Sequence, residues 1–457
     1  MPSPIYFDLT DLIRFAESND HVTGIQRVEL RVFLELLKTH GPNQIKAIAL
    51  TRRQQWVELP TTELLALDDF DATTLLIKTG FIRKSRGPQV AEVKRYLRPY
   101  QHNKLLRGVI KLGVHLQFHL APHQLEKKGF KLFRSVPALR VLPKVIDNLP
   151  TPSVLVRITP NVTDPHIQEF CKRQSLRGVR VCQMIHDLIP ITHPHFHVAA
   201  ASQKFSTWLL NSTAYVSTYL CVSQNTHQDL LDFFHREQIT KDIKTTPLAH
   251  EFFAHPRNAR CQRPATLAPF MSALANQNYV LCVGSIEIRK NGLGLLNAWD
   301  QVAKARPDDK TKLVFAGRIG WLVDDFLARL ASSPSLRERV ILLTSPSDTD
   351  LAWLYGHCLF TIYPSRYEGW GLPVGESLWF GKPCLASRAS SIPEVGGDLI
   401  DYFDPESITD MADCITKVLS HPEGLQAQEQ RIRQGALRSW ADLSEAVYSA
   451  VIESTPN

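Results

Sequence analysis

Two glutamates, Glu368 and Glu376, stand eight positions apart in the stretch Pro364-Ser365-Arg366-Tyr367-Glu368-Gly369-Trp370-Gly371-Leu372-Pro373-Val374-Gly375-Glu376. The first falls in a glycine-rich turn and the second about a turn into a helix. The two carboxylates can therefore accept hydrogen bonds from two separate sets of hydroxyls on one extended ligand. A ligand that carries both a sugar and a ribose fits. Gly369 and Gly371 let the backbone approach such a ligand, and the free N–H groups where the helix begins form an anion site suited to a diphosphate. The plain alternative is a surface carboxylate followed by a first-turn glutamate favoured by the helix dipole; the flanking glycines argue against it. Lys290 supplies a cation in Val283-Gly284-Ser285-Ile286-Glu287-Ile288-Arg289-Lys290-Asn291. His186 stands directly after another apolar run, where a packed core histidine is the ordinary alternative.

Two patterns imitate metal sites. His193, His195 and His197 alternate around Pro194 and Phe196 with no nearby Cys or carboxylate pattern, which suits a loop or strand better than a ligand set. Asp348-Thr349-Asp350 imitates a metal-binding Asp-x-Asp, but Ser347 with Asp350 three residues on, ahead of an apolar run, reads as a capping box. The eight cysteines are scattered and form no CxxC pair, so neither a zinc site nor a disulfide framework is indicated. No metal is expected.

Positioning these groups requires strands and helices in a definite order. Apolar runs at 5–8, 45–50, 154–158, 179–185 and 219–222 read as strands, and a polar loop over 18–24 leads into a helix over 25–38. Strand, loop, helix is a Rossmann opening. A polar, proline-containing stretch over 257–278 reads as a linker. A second series follows, with strands at 279–283, 312–316, 340–343, 359–363 and 383–386 and helices such as 294–304 and 350–356 between them. This alternation predicts an α/β chain with two parallel sheets, whose ligand crevices lie beyond the carboxyl ends of the strands. The Glu368 motif falls at such an end. A last helix carries Trp440, Leu443, Val447 and Val451 on one side and is expected to pack back across both domains. The divisions expected are a first domain over 1–265, a second over 266–430 and the C-terminal helix within 431–457, since 457 residues exceed one core.

The net charge of +7 is concentrated between residues 83 and 144, where fifteen Lys or Arg face only Glu92 and Glu126, leaving the rest of the chain net negative. Arg83, Lys84, Arg86, Lys94, Arg95, Arg98, Lys104, Arg107 and Lys111 are interleaved with Tyr96, Leu97, Leu105, Leu106, Val109, Ile110 and Leu112 at near-helical spacing. Such a segment can lie on an anionic membrane, each basic residue contributing about 1 kcal/mol; a solvated basic face is the alternative. No nucleic-acid module appears. No apolar run reaches the ~18–20 residues of a membrane span, and the N-terminus lacks a signal layout. A cytoplasmic protein is expected, peripheral at the inner face of the membrane.

Over 279–406 the chain resembles glycosyltransferase family 4. Four motifs carry the likeness in family order: the segment from Val283 to Asn291, Phe315-Ala316-Gly317-Arg318-Ile319-Gly320-Trp321, the Glu368 loop, and Ser391-Ile392-Pro393-Glu394-Val395-Gly396-Gly397. The resemblance implies a GT-B fold, two Rossmann-like domains facing each other across a cleft, and transfer of a sugar from a nucleotide-diphosphate sugar with retention of configuration. By it, Glu368 and the backbone of Gly369, Trp370, Gly371 and Leu372 hold the donor sugar and phosphates, Glu376 binds the ribose and Lys290 neutralises the diphosphate. Many members place an arginine where this chain has Ser285, so Arg289 or Arg318 would supply the second phosphate-binding cation. Likeness in the first domain is confined to Thr23-Gly24-Ile25-Gln26-Arg27, His186-Asp187-Leu188-Ile189-Pro190 and Val222-Ser223-Gln224. It maps Gly24 beside the donor phosphates and His186 onto the donor sugar. The nucleotide sugar is a co-substrate, with no cofactor or metal expected. GDP-mannose is favoured by the style of the His186 and Lys290 motifs, with UDP-sugars and dTDP-rhamnose as alternatives. The acceptor expected is a bacterial surface polysaccharide, O-antigen or capsule, or a lipid-linked glycan. A nucleotide-sugar epimerase and a non-catalytic scaffold are the competing readings; the first needs acid and base groups around the sugar ring, and the second needs no intact donor site.

Overall fold

A computed structural model describes residues 3–19, 23–67, 70–81, 143–197, 199–252, 255–259, 276–344 and 346–453, with isolated positions at 110, 112–114 and 274. The basic residues singled out between Arg83 and Lys111 all lie outside the described residues.

The first sheet has the order β4-β3-β2-β1-β5-β6-β7-β8. Its strands are β1 (Ile5–Asp8), β2 (Ile45–Leu50), β3 (Trp56–Glu58), β4 (Lys144–Val145), β5 (Val154–Arg157), β6 (Arg180–Ile185), β7 (Thr218–Cys221) and β8 (Asp242–Thr245). β1, β5 and β7 are buried along their whole length, as expected of parallel strands covered by helices on both faces. β3 and β4 are antiparallel additions at one edge. After β1 the chain forms a short helix, Thr10–Ala16, to which the sequence reading assigned no element, and then the long helix Gly24–Gln44 that returns it to β2.

The second sheet is wholly parallel, in the order β11-β10-β9-β12-β13-β14. Its strands are β9 (Tyr279–Val283), β10 (Lys312–Ala316), β11 (Val340–Leu343), β12 (Phe360–Tyr363), β13 (Cys384–Ser387) and β14 (Asp401–Phe403). The strand order reverses between β9 and β12. There the connections leave in opposite directions and open a crevice beyond the carboxyl ends. Gly284 and Ser285 leave β9 at that edge, and the Glu368 loop leaves β12.

Two connections tie the domains together. Arg257, read as the start of a linker, donates from Nη2 to the carbonyls of Ile432, Arg433 and Gly435 at 2.8, 3.2 and 2.6 Å, and the Asn258 N–H bonds the Trp379 carbonyl. This end of the linker is thus fixed against the second domain, because its polar groups find carbonyls left open at helix ends; residues 260–273 and 275 lie outside the described set. The helix Trp440–Ile452, begun by a capping box of Ser439 and Asp442, packs on Gly24–Gln44. Its Trp440, Leu443, Val447 and Val451 share one buried core with Val28 and Leu37 of the first domain and Val374 and Leu378 of the second.

Candidate active site

Glu368 is held from both sides. Its Oε1 lies 2.5 Å from Lys290 Nζ and accepts from the Tyr363 hydroxyl at 2.8 Å and the Ser365 hydroxyl at 2.6 Å. Its Oε2 pairs with Arg289 Nη1 at 2.7 Å, and Arg289 also reaches Glu287 at 2.8 Å. Burial opposes the ionised carboxylate, but Arg289, Lys290 and the Ser365 hydroxyl outweigh it and hold the carboxyl down at about 2. Lys290 is pushed the other way: burial lowers it, and Glu368 offsets that only in part. A buried ammonium in this state gains from any further anion brought to it. The backbone of the loop is fixed as well. Ser390 Oγ accepts from the Glu368 N–H at 2.8 Å, and Ser391 Oγ donates to the carbonyls of Glu368 and Trp370 at 3.0 and 2.9 Å. Gly371, at φ 114°, turns the chain into the helix Leu372–Trp379 in a conformation open to glycine. The Trp370 side chain is buried in the core shared by the two domains, which leaves only its backbone to serve a ligand.

Glu376 lies one turn into that helix and is also engaged. Its Oε2 accepts from the Tyr355 hydroxyl at 2.8 Å, and its Oε1 pairs at 3.0 Å with Nη1 of Arg27, which comes from the first domain. Arg27 Nη2 reaches Asp348 at 2.8 Å, and its guanidinium lies over the Phe252 ring, 5.5 Å from the centroid. Burial raises the Glu376 carboxyl above the usual range against the pull of Arg27 and Tyr355. Ser347 and Asp350 form the expected capping box at the start of Asp348–His357; the bond from Asp348 to Arg27 was not anticipated.

The first domain closes over these glutamates. A Cβ on Gly369 would stand 1.7 Å from the His186 carbonyl oxygen, so the two backbones touch and only glycine fits. A Cβ on Gly24 would stand 3.3 Å from Leu372 Cδ1, which places Gly24 against the start of the Leu372 helix. The His186 ring bonds the Ile158 carbonyl through Nε2 at 3.0 Å; a carbonyl only accepts, so Nε2 carries the proton and Nδ1 is left as an acceptor. Burial pushes this imidazole down to about 4, hence it is neutral near pH 7. Ser285 is half-buried after β9. Of the two candidate second cations, Arg289 joins the Glu368 cluster, whereas Arg318 is exposed after β10. His193 bonds Thr192 Oγ1 at 2.9 Å and packs against Tyr367, with 4.2 Å between centroids. Among the described residues, no three His, Cys, Asp or Glu are grouped to hold a metal ion.

Sequence reasoning missed Tyr363, Ser365, Tyr355 and Arg27. Tyr363 and Ser365 border an apolar strand end and could have been found as polar groups at a crevice. Arg27 and Tyr355 lie 328 positions apart and meet only through the tertiary fold.

Residues 269–436 match the family described as glycosyl transferases group 1. These residues form a group 1 glycosyl transferase domain. The chain is 31% identical over 231 residues to the Escherichia coli O-antigen chain mannosyltransferase B, covering 50% of this chain and 58% of that protein. It is 25% identical over 249 residues to the Escherichia coli serotype-specific mannosyltransferase WbdA, covering 53% of this chain and 30% of that one. The chain thus spans about half or less of the length of these curated relatives. Among solved structures, Anabaena HepE in complex with UDP and glucose superposes over 99% of this chain and 100% of its own, with a TM-score of 0.57 at 12% identity. A trehalose 6-phosphate synthase from Burkholderia multivorans gives a TM-score of 0.51 at 13% identity over 66% of this chain and 70% of its own. At such identities the likeness is one of fold, and that fold is GT-B. Lys290, Glu368 and Glu376 lie inside the transferase domain; Gly24, Arg27 and His186 reach it from outside the matched span.

Proposed function

We propose that this protein is a retaining glycosyltransferase that moves a hexose from a nucleotide-diphosphate sugar onto a glycan or lipid-linked acceptor during bacterial surface-polysaccharide synthesis. The observation that carries this is Glu368, an ionised buried carboxylate set between Lys290 and Arg289 beyond β9 and β12, with His186 packed against the next residue. In this reading Glu368 and His186 Nδ1 accept hydrogen bonds from donor-sugar hydroxyls, and Glu376 takes the ribose. Lys290, Arg289 and the N–H groups from Gly369 to Leu372 face the diphosphate, with Gly24 and Ser285 beside it. The bond between the anomeric carbon and the phosphate oxygen breaks as the acceptor oxygen attacks from the same face. The acceptor proton passes to the departing phosphate oxygen, and no protein base takes part. Preorganised cations and dipoles stabilise the diphosphate that leaves, and closure of the first domain keeps water from the anomeric centre. The relatives named as mannosyltransferases support mannose as the sugar, and GDP-mannose remains the donor favoured by the sequence motifs. The positive charge concentrated between residues 83 and 144 would attract an anionic membrane.

A thermal-shift series with GDP, UDP, dTDP, ADP and CMP, with and without EDTA, tests the donor site, because a ligand of the folded state raises Tm by mass action. A selective rise with GDP that survives EDTA is expected. Selectivity for UDP or dTDP would redirect the donor, loss of the rise in EDTA would overturn the metal-independent reading, and no rise with any nucleotide would overturn the transferase. Sugar incorporated into acceptor, with free nucleotide released, separates transfer from epimerisation.

A further inference from the structure

The helix Gln224–Arg236 of the first domain faces the Glu368 loop, and three of its residues, Asn225, Thr226 and Asp229, meet groups on either side of Glu368. The Glu394 carboxylate of the second domain accepts from the Gln224 N–H at 2.6 Å through Oε2 and from the Asn225 N–H at 2.8 Å through Oε1. With Ser223 taking the Thr226 N–H, the first three N–H groups of the helix are all satisfied, two of them from across the cleft. One turn on, the Tyr367 hydroxyl donates to Asp229 Oδ2 at 2.7 Å and accepts from Asn225 Nδ2 at 3.0 Å. Between these, Thr226 Oγ1 donates to the Gly369 carbonyl at 3.3 Å. Tyr367 and Gly369 are the immediate neighbours of Glu368. Glu394 lies three residues after Ser391, whose hydroxyl holds the Glu368 carbonyl.

We propose that Glu394 and Tyr367 are positioning residues that couple closure of the cleft to the presentation of Glu368. A carboxylate at a helix N-terminus is favoured both by the open N–H groups and by the helix dipole. Those bonds exist only when the domains are together. Opening removes the Glu394 and Tyr367 anchors and frees the two residues that flank Glu368, while the serines still hold its backbone. The closed state alone then presents Glu368 to a donor sugar. This rests on the transferase reading above, and neither residue is assigned a contact with substrate.

The full-length chain carrying Glu394→Ala, Glu394→Gln or Tyr367→Phe tests this by steady-state transfer kinetics and small-angle scattering with and without the nucleoside diphosphate that stabilises the wild type. Glu394→Ala should lower kcat by about tenfold or more with donor KM changed less than about twofold, since the loss falls on a conformation reached after binding. A larger share of donor should be hydrolysed rather than transferred. Glu394→Gln should recover part of kcat, because its amide oxygen still accepts one helix N–H, and Tyr367→Phe should behave as a milder Glu394→Ala. The diphosphate-bound radius of gyration should be larger in Glu394→Ala than in wild type. Unchanged kcat, or a rise confined to donor KM, overturns the proposal. A wild type that transfers from no nucleotide sugar would instead sink the transferase reading, and scattering would then decide: equal radii in wild type and Glu394→Ala would overturn the coupling on its own.

Discussion

Glu368 is one carboxylate serving two buried cations, and its behaviour with pH follows from that. Its folded carboxyl sits at about 2, below its ordinary 4.5. The folded state therefore binds fewer protons than the unfolded chain between these values, and the contribution to stability is complete above about pH 4.5 and lost as pH falls toward 2. Wild type should lose more of its Tm between pH 5 and pH 3 than Glu368→Gln does, measured by calorimetry in matched buffers. Parallel slopes for the two proteins would show that the pairing contributes nothing to the folded state. The amide variant is also expected to lose transfer activity, since Lys290 and Arg289 would then face a neutral group. Arg27, from the first domain, pairs with both Glu376 and Asp348 of the second.

At the scale of elements, the site is made by loops at strand ends and by helices that begin beside them. The loop after β12 and the loop after β6 meet backbone to backbone, with room for no side chain at Gly369. Gly369→Ala would place a Cβ 1.7 Å from the His186 carbonyl oxygen, and neither partner is a flexible side chain that could swing away. The domains would have to separate at that point. Transfer should fall by at least ~100-fold, the scale of a mispositioned reacting pair, while far-UV circular dichroism stays that of wild type. Activity within about twofold of wild type would mean that the cleft works without this contact. The helix Trp440–Ile452 acts differently: it buries one apolar face in a core drawn from both domains and so limits how they can part.

For the whole molecule, charge is divided as sharply as structure. The basic residues cluster between 83 and 144 while the remainder is net negative, and none of the described helices is long and apolar enough to cross a membrane. Replacing Arg95, Arg98, Lys104 and Arg107 with glutamine should weaken binding to anionic vesicles by about 1 kcal/mol per charge and leave binding to neutral vesicles unchanged. Equal binding of the two proteins to anionic vesicles would remove the membrane from the account.

Strands β9, β10 and β11 and the Asp348 capping box were legible in the sequence, because apolar period and cap chemistry are local. The resemblance gave Glu368 and Lys290 separate roles at one site; that the two side chains pair with each other across 78 positions came only from the structure. β8 and β14 escaped notice: at the sheet edge their residues are mixed in polarity, as in Asp242-Ile243-Lys244-Thr245, and a short half-exposed strand has no apolar run to reveal it. The sequence by itself determined two α/β units, the order of the motifs and the location of the glutamates at a strand end. Only the tertiary structure decided that Arg27 meets Glu376, that His186 meets Gly369 and that Glu394 caps a helix of the opposite domain. Those contacts join residues more than a hundred positions apart, and their partners are selected by how two folded domains come together rather than by any pattern along the chain.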